Sequence, residues 1–224
     1  MKTISTAVNW VKEHGLFPNV PVVESPHAPE VIVNGKKVLM FATNNYLGMM
    51  KDERVIAAAK EGLEKWGIGN GSARLLTGNL YFHQELEDKI AKFKNRPAGI
   101  YFVTGYMANA GAIPPLVNVF KPSLMSLIRG KILKDKETVV FSDEYNHASI
   151  IAGVRLSKAE KEIYKHCDAA DLEEKLKKYP TSQRKLIISD GVFSMDGDIA
   201  PLPQILELAK KYKAMTYIDD AHAT

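Results

Sequence analysis

Leu186-Ile187-Ile188-Ser189, a helical pattern over 202–213, and then Met215-Thr216-Tyr217-Ile218 running into Asp219-Asp220-Ala221-His222 read as strand, helix and strand. The second strand ends in two acids and an imidazole. Short apolar runs separated by one amphipathic helix make a right-handed βαβ unit with parallel strands. The alternation extends upstream: 138–141 and Ile163-Tyr164 read as strands, and 169–178 as a helix. The pattern predicts an α/β fold, a mostly parallel sheet with flanking helices. Such sheets place ligands at the carboxyl ends of their strands, so Asp219 and His222 become candidate site residues.

Further toward the N-terminus, Ile100-Tyr101-Phe102-Val103 predicts a buried strand. Thr104-Gly105-Tyr106 then turns into a helix through Ile113, which Pro114-Pro115 break. Helices are predicted over 80–93 and from Asp52, a capping residue, to Trp66. Residues 31–40 form a hairpin around Asn34-Gly35, a pair that tolerates the positive φ of a type I′ turn. Ile4, Ala7, Val8 and Val11 have helical spacing, Gly15 stops that helix, and an arm punctuated by Pro18, Pro21, Pro26 and Pro29 follows. The reading is an N-terminal arm with helix and hairpin over 1–50, then one large domain over 51–224.

Composition narrows the function classes. The chain has 224 residues, 46% hydrophobic and 25% charged, as in ordinary globular proteins. Its net charge of +4 is spread over helices rather than massed, so no nucleic-acid partner is expected. No apolar run approaches the roughly 18 residues of a membrane span, and no signal-peptide core opens the chain. The single cysteine, Cys167, excludes an intrachain disulfide and fits a cytoplasmic location.

Several strand ends carry residues suited to chemistry, each with an ordinary alternative. Asp219 and His222 could be solvated loop residues, two ligands of a metal, or two contacts to a pyridoxal phosphate ring, where a carboxylate keeps the ring nitrogen protonated. Thr104-Gly105-Tyr106 offers helix N-terminal N–H groups that suit a phosphate, or is an ordinary turn. His147, in Asn146-His147-Ala148-Ser149, could stack on a ring or cap a helix. Ser194, in Phe193-Ser194-Met195-Asp196-Gly197-Asp198, could donate to a ring oxygen or, with Asp196, shape a turn. Gly67, Gly69 and Gly71 follow a helix rather than a strand, so they fail as a dinucleotide fingerprint.

Taken together, these stretches resemble the α-oxoamine synthases of the fold-type I pyridoxal-phosphate enzymes. The wording is closest to the branch holding glycine C-acetyltransferase and 8-amino-7-oxononanoate synthase. The matching stretches are Asn44-Asn45-Tyr46-Leu47-Gly48, Gly71-Ser72-Ala73-Arg74 through Gly78, His83-Gln84-Glu85-Leu86-Glu87, Gly105-Tyr106-Met107-Ala108-Asn109, Asn146-His147-Ala148-Ser149, Phe193 through Asp198, and Asp219-Asp220-Ala221-His222. They occur in the family's order across most of the chain.

The resemblance implies the large domain of a fold-type I transferase, truncated, with pyridoxal 5′-phosphate as cofactor and no metal. Asp219 would pair with the pyridine nitrogen, and His222 and Ser194 would contact the ring oxygen. His147 would stack on the ring, and Gly105 and Tyr106 would give N–H groups to the phosphate. Asp219, His222 and His147 are the implied catalytic residues, and Asn44 would lie near the substrate carboxylate. The implied activity is an acyltransferase condensing an amino acid (glycine, alanine or serine) with an acyl-CoA or acyl-carrier thioester and releasing CoA. A homodimer is implied.

Two departures shape the expectation. The family's Schiff-base lysine lies downstream of the D-x-A-H stretch, and this sequence reaches only Thr224. The resemblance therefore implies an N-terminal portion, inactive alone, or a split or non-catalytic partner subunit. Residues 121–137 read as an insertion with a basic, amphipathic character.

Overall fold

Residue alternation splits the central strands between two cores. Val139, Phe141 and Ile187 pack in one apolar cluster, and Val140, Leu186 and Ile188 in another. Side chains two apart share a face of a strand, so the sheet is buried on both sides. The structure is a computed structural model that describes residues 2–118 and 138–224. The insertion at 121–137 lies outside the described residues. The chain divides into two units, Met1–Asn79 and Leu80–Thr224.

The first unit holds α1 (Lys2–Glu13), the antiparallel pair β1 (Glu30–Val33) and β2 (Lys36–Leu39), a short 3₁₀ turn at Met49–Lys51, and α2 (Glu53–Trp66). Asn34 and Gly35 both have positive φ, 49° and 71°, as the hairpin's turn requires. Asp52 caps α2 by accepting from the Arg54 N–H at 2.9 Å.

The second unit holds α3 (Tyr81–Phe93), α4 (Gly105–Val117), β3 (Val139–Asp143), α5 (Ala148–Ser157), β4 (Glu160–Tyr164), α6 (Ala169–Lys177), β5 (Lys185–Asp190), α7 (Leu202–Tyr212) and β6 (Met215–Asp219). The strands order β4-β3-β5-β6, all parallel. Leu172 and Leu176 of α6 and Ile205 and Ala209 of α7 cover one face. Ile113 and Val117 of α4 and Ile150 and Val154 of α5 cover the other. Gly153 lets α4 and α5 approach closely, since a Cβ there would meet the Asn109 carbonyl oxygen at 2.7 Å.

Three expectations are corrected. Residues 100–103 form no strand, and Ile100 and Val103 are exposed. The Tyr101 N–H donates to Glu87 Oε1 at 2.8 Å, a side-chain partner in place of a ladder. Pro114 and Pro115 do not break α4, which runs on to Val117. Each proline loses only its own donor, and the Pro114 carbonyl still accepts from the Asn118 N–H at 2.9 Å. Finally, β4 begins at Glu160 rather than 163. Its Glu160-Lys161-Glu162 start is charged, as suits β4's place at the edge of the sheet among the described residues, where charge protects an edge.

Candidate active site

The carboxyl ends of β3, β5 and β6 each carry an acid. β3 ends at Asp143, β5 at Asp190 and β6 at Asp219, with Asp190 directly beside Asp219 in the parallel register. Ser-Asp closes both β3 and β5, at Ser142-Asp143 and Ser189-Asp190, and all four residues are buried. That repeat at two strand ends is a sequence signal for polar residues with work beyond packing.

Asp219 is half-buried. Its Oδ2 accepts from Asn109 Nδ2 of α4 at 2.7 Å and its Oδ1 from the Ala221 N–H at 3.1 Å. Asn109 is buried and branches: Nδ2 also donates to Ser149 Oγ of α5 at 2.8 Å, and Oδ1 accepts from the Tyr217 hydroxyl at 2.7 Å. Burial and the neighbouring Asp219 charge push the Tyr217 hydroxyl up to about 12, so it stays a donor. Ser149 Oγ lies 2.6 Å from His147 Nδ1.

His147 is the N-cap of α5, with Nδ1 accepting from the Ser149 N–H at 3.2 Å. The helix-capping reading is therefore correct, and the residue is exposed. Its backbone N–H donates to Asp190 Oδ2 at 2.7 Å. The Asp190 N–H donates to Asn146 Oδ1 at 2.9 Å, and Asn146 Nδ2 reaches Ser142 Oγ and the Ile188 carbonyl, both at 2.9 Å. Burial raises the Asp190 carboxyl above its ordinary value. The Asp219 charge adds to that rise, while the His147 backbone bond and the His147 and His222 charges oppose it. His222 is half-buried in the turn after β6.

The start of α4 supplies donors. Thr104 caps it, its Oγ1 accepting from the Met107 N–H at 3.1 Å. The preceding N–H groups, of Gly105 and Tyr106, are the helix's first donors and face no intrahelical acceptor. Space beside Gly105 is open, with nothing within 4 Å of an added Cβ. Ser194 is exposed in a turn closed by the Gly197 N–H donating to the Phe193 carbonyl at 2.8 Å. The turn reading of Ser194 and Asp196 thus holds, and both also line a cavity of about 390 Å³ with Tyr145, Phe193 and Met195. Asn44 lies exposed in the first unit, its Oδ1 accepting from the Tyr46 hydroxyl at 3.3 Å.

Among the described residues, the ligand atoms of Asp219, His222 and His147 do not converge as a metal site would require. Among the described residues the ligand atoms that converge belong to Asp143, His166 and Cys167. There His166 Nδ1 donates to Asp143 Oδ1 at 3.0 Å and Nε2 to Asp198 Oδ2 at 2.9 Å. Burial opposes the imidazole's charge, but the two carboxylates outweigh it and raise His166 above its ordinary value. His166 is also packed between Tyr145, stacked at 4.5 Å, and the edge-on ring of Phe193 at 4.4 Å.

The donor set fits pyridoxal phosphate. An acceptor carboxylate with unused lone pairs, an exposed histidine, and open helix N–H groups are the parts that a pyridinium ring and a phosphate require. Asn109, Ser149, Asp190 and Tyr217 are the site's unanticipated members. Asn109 carried a signal, a polar residue in the otherwise apolar Met107–Val117 run.

The family model described as aminotransferase class I and II matches residues 36–224. An 8-amino-7-oxononanoate synthase of Thermosipho melanesiensis is 47% identical over 215 residues, covering 96% of this chain and 51% of that protein. That of Thermoanaerobacter pseudethanolicus is 47% identical over 222 residues, covering 99% and 52%. Among solved structures, a serine palmitoyltransferase from S. paucimobilis with bound PLP superposes with a TM-score of 0.81 at 34% identity, covering 96% of this chain and 50% of that one. The chain spans about half the length of the curated relatives it matches. No helix among the described residues is long and apolar enough to cross a membrane.

Proposed function

This chain belongs to the aminotransferase class I and II family, in its α-oxoamine synthase branch, and on that premise we propose that it supplies the cofactor-binding half of an acyltransferase. The proposed reaction joins glycine, alanine or serine to an acyl-CoA or acyl-carrier thioester and releases CoA. The observation that carries this reading is the meeting of Asp219, Asn109, Ser149 and His147 at the carboxyl ends of β6 and β3.

When bound, pyridoxal phosphate supplies an electron sink for a carbanion at the amino acid's α-carbon. Asp219 would hold the proton on the pyridine nitrogen and so keep that sink strong. His147 would lie against the ring and exclude water from it. The Gly105 and Tyr106 N–H groups would hold the phosphate. Ser194 and His222 would donate toward the ring oxygen, and Asn44 would receive the substrate carboxylate. We read 51–224 as the large-domain portion and 1–50 as an arm, whereas the two compact units of the structure divide after Asn79. We place the protein in the cytoplasm as a homodimer, a setting that the lone Cys167 suits.

Titration with pyridoxal phosphate, read by absorbance, tests this. Saturable binding weakened at least tenfold in Asp219→Ala is expected, about 1.4 kcal/mol. Equal binding by wild type and Asp219→Ala overturns the reading.

A further inference from the structure

His147 Nδ1 accepts from a backbone N–H, that of Ser149 at 3.2 Å. A backbone N–H can only donate, so Nδ1 presents its lone pair there. Ser149 Oγ lies on the same nitrogen at 2.6 Å. The hydroxyl already accepts from Asn109 Nδ2 at 2.8 Å, another group that can only donate. Its own proton is thereby free to point at Nδ1.

The polarity of Asn109 is set from the other end. Nδ2 faces Asp219 Oδ2 at 2.7 Å, and an ionised carboxylate only accepts. Oδ1 faces the Tyr217 hydroxyl at 2.7 Å, which donates. Flipping the amide would set oxygen against carboxylate and a second oxygen. Asn109 and Ser149 are 3% and 1% exposed, so water cannot substitute for either partner.

We infer that Asn109 and Ser149 are positioning residues: with Asp219 as an acceptor-only anchor, they hold His147 as the tautomer carrying its proton on Nε2. The proton direction runs Asn109 N–H to Ser149 Oγ, and Ser149 O–H to His147 Nδ1. The same Asn109 amide donates its second proton to Asp219. One amide therefore orients both the carboxylate that the proposed function places at the ligand ring's nitrogen and the imidazole that it places against the ring's face. The ring's remaining donor, Nε2–H, makes no hydrogen bond among the described residues and is directed away from the anchor. The wiring is independent of any ligand; its use in catalysis rests on the proposed function.

Three elements must meet to build it. Asn109 comes from α4, Ser149 and His147 from the start of α5, and Tyr217 and Asp219 from one face of β6. Gly153 is what permits the α4–α5 approach, because its missing side chain leaves room for the Asn109 carbonyl.

The test is a long-range ¹H–¹⁵N spectrum of the ligand-free protein labelled at histidine, recorded at about pH 8, with His147→Gln assigning the resonance. A pyridine-type Nδ1 and a pyrrole-type Nε2, in at least tenfold excess over the other tautomer, are expected for His147. Ser149→Ala should cut that excess to a few-fold, and Asn109→Leu should do so too if it folds. A pyrrole-type Nδ1 in the wild type, or a ratio unmoved by Ser149→Ala at unchanged helix content, overturns the inference. Pyridoxal phosphate titration separates the two ideas. If the tautomer is as stated but Asp219→Ala binds as wild type does, the wiring stands and the proposed function falls.

Discussion

His147 and His166 follow neighbouring strands, β3 and β4, yet their rings are used in opposite ways. His166 spends both nitrogens on carboxylates, one of them the buried Asp143, and is closed over by Tyr145 and Phe193. His147 spends one nitrogen on its own helix cap and leaves the rest of the ring exposed. The first is a saturated ionic clamp and the second an unsaturated site. A polar residue whose bonding capacity is consumed internally serves the fold, whereas one held rigid with capacity left over can serve a ligand. Burial alone would have ranked them the other way, with the more enclosed histidine as the active one.

The largest expected effect breaks the clamp. Asp143 accepts from His166 Nδ1 and from the N–H groups of Tyr145 and Cys167, the latter two each at 2.9 Å. Asp143→Ala strands three donors in an enclosed site, each at a cost of about 1–3 kcal/mol, and leaves His166 with Asp198 alone. Urea unfolding would read this as a lower midpoint at unchanged m-value. Gly153→Ala comes next. Its Cβ would sit 2.7 Å from the Asn109 carbonyl oxygen and 2.9 Å from Ile113 Cδ1, so about 1–3 kcal/mol should be lost. That substitution should also weaken pyridoxal phosphate binding, since it displaces Asn109, and loss of stability with binding intact would separate the α4–α5 contact from the site.

The open site should behave differently. His147→Ala removes a cap and should cost about 1 kcal/mol, well below the clamp, while weakening cofactor binding more than Asp143→Ala does once both are measured folded. The pH dependence also divides the two histidines. His166 has a folded value above its ordinary one, set at about 6.5. Its stabilisation is therefore full below the unfolded value and is lost as pH rises through the folded one. Thermal unfolding followed upward from pH 6 should show a decline that His166→Gln abolishes. The smallest effect tests the backbone beside the clamp. Cys167 has φ 53°, a left-handed conformation that asparagine tolerates better. Cys167→Asn should gain about 0.5 kcal/mol in the same unfolding assay.

Much of this was legible in one dimension. The alternation of apolar runs and helices gave the parallel sheet, because strand and helix periods differ and neither needs tertiary information to be seen. Asp52 as a cap and Asn34-Gly35 as a turn were local chemistry. Two elements were misread for reasons outside their own residues. The 100–103 run is β-rich, but a strand exists only where a ladder accepts it, and here Glu87 takes the Tyr101 N–H instead. The start of β4 looks like a charged loop because β4, among the described residues, lies at the sheet's edge with one side in water.

The site divides along the same line. Its residue types stand in the sequence, with Asp219, His147 and Ser194 at or after strand ends, which an α/β sheet brings together wherever the chain alternates, and Gly105–Tyr106 opening a helix. Which of them touch could not be read there. Asn109 and Asp219 are 110 residues apart, and Asn109 and Ser149 are 40 apart. Only the packing of α4 on α5 through Gly153, over the face of β6 that carries Tyr217, puts one amide between an acid and an imidazole. Sequence spacing determines which side of an element a group occupies, and the closeness of two elements determines which groups can share a proton.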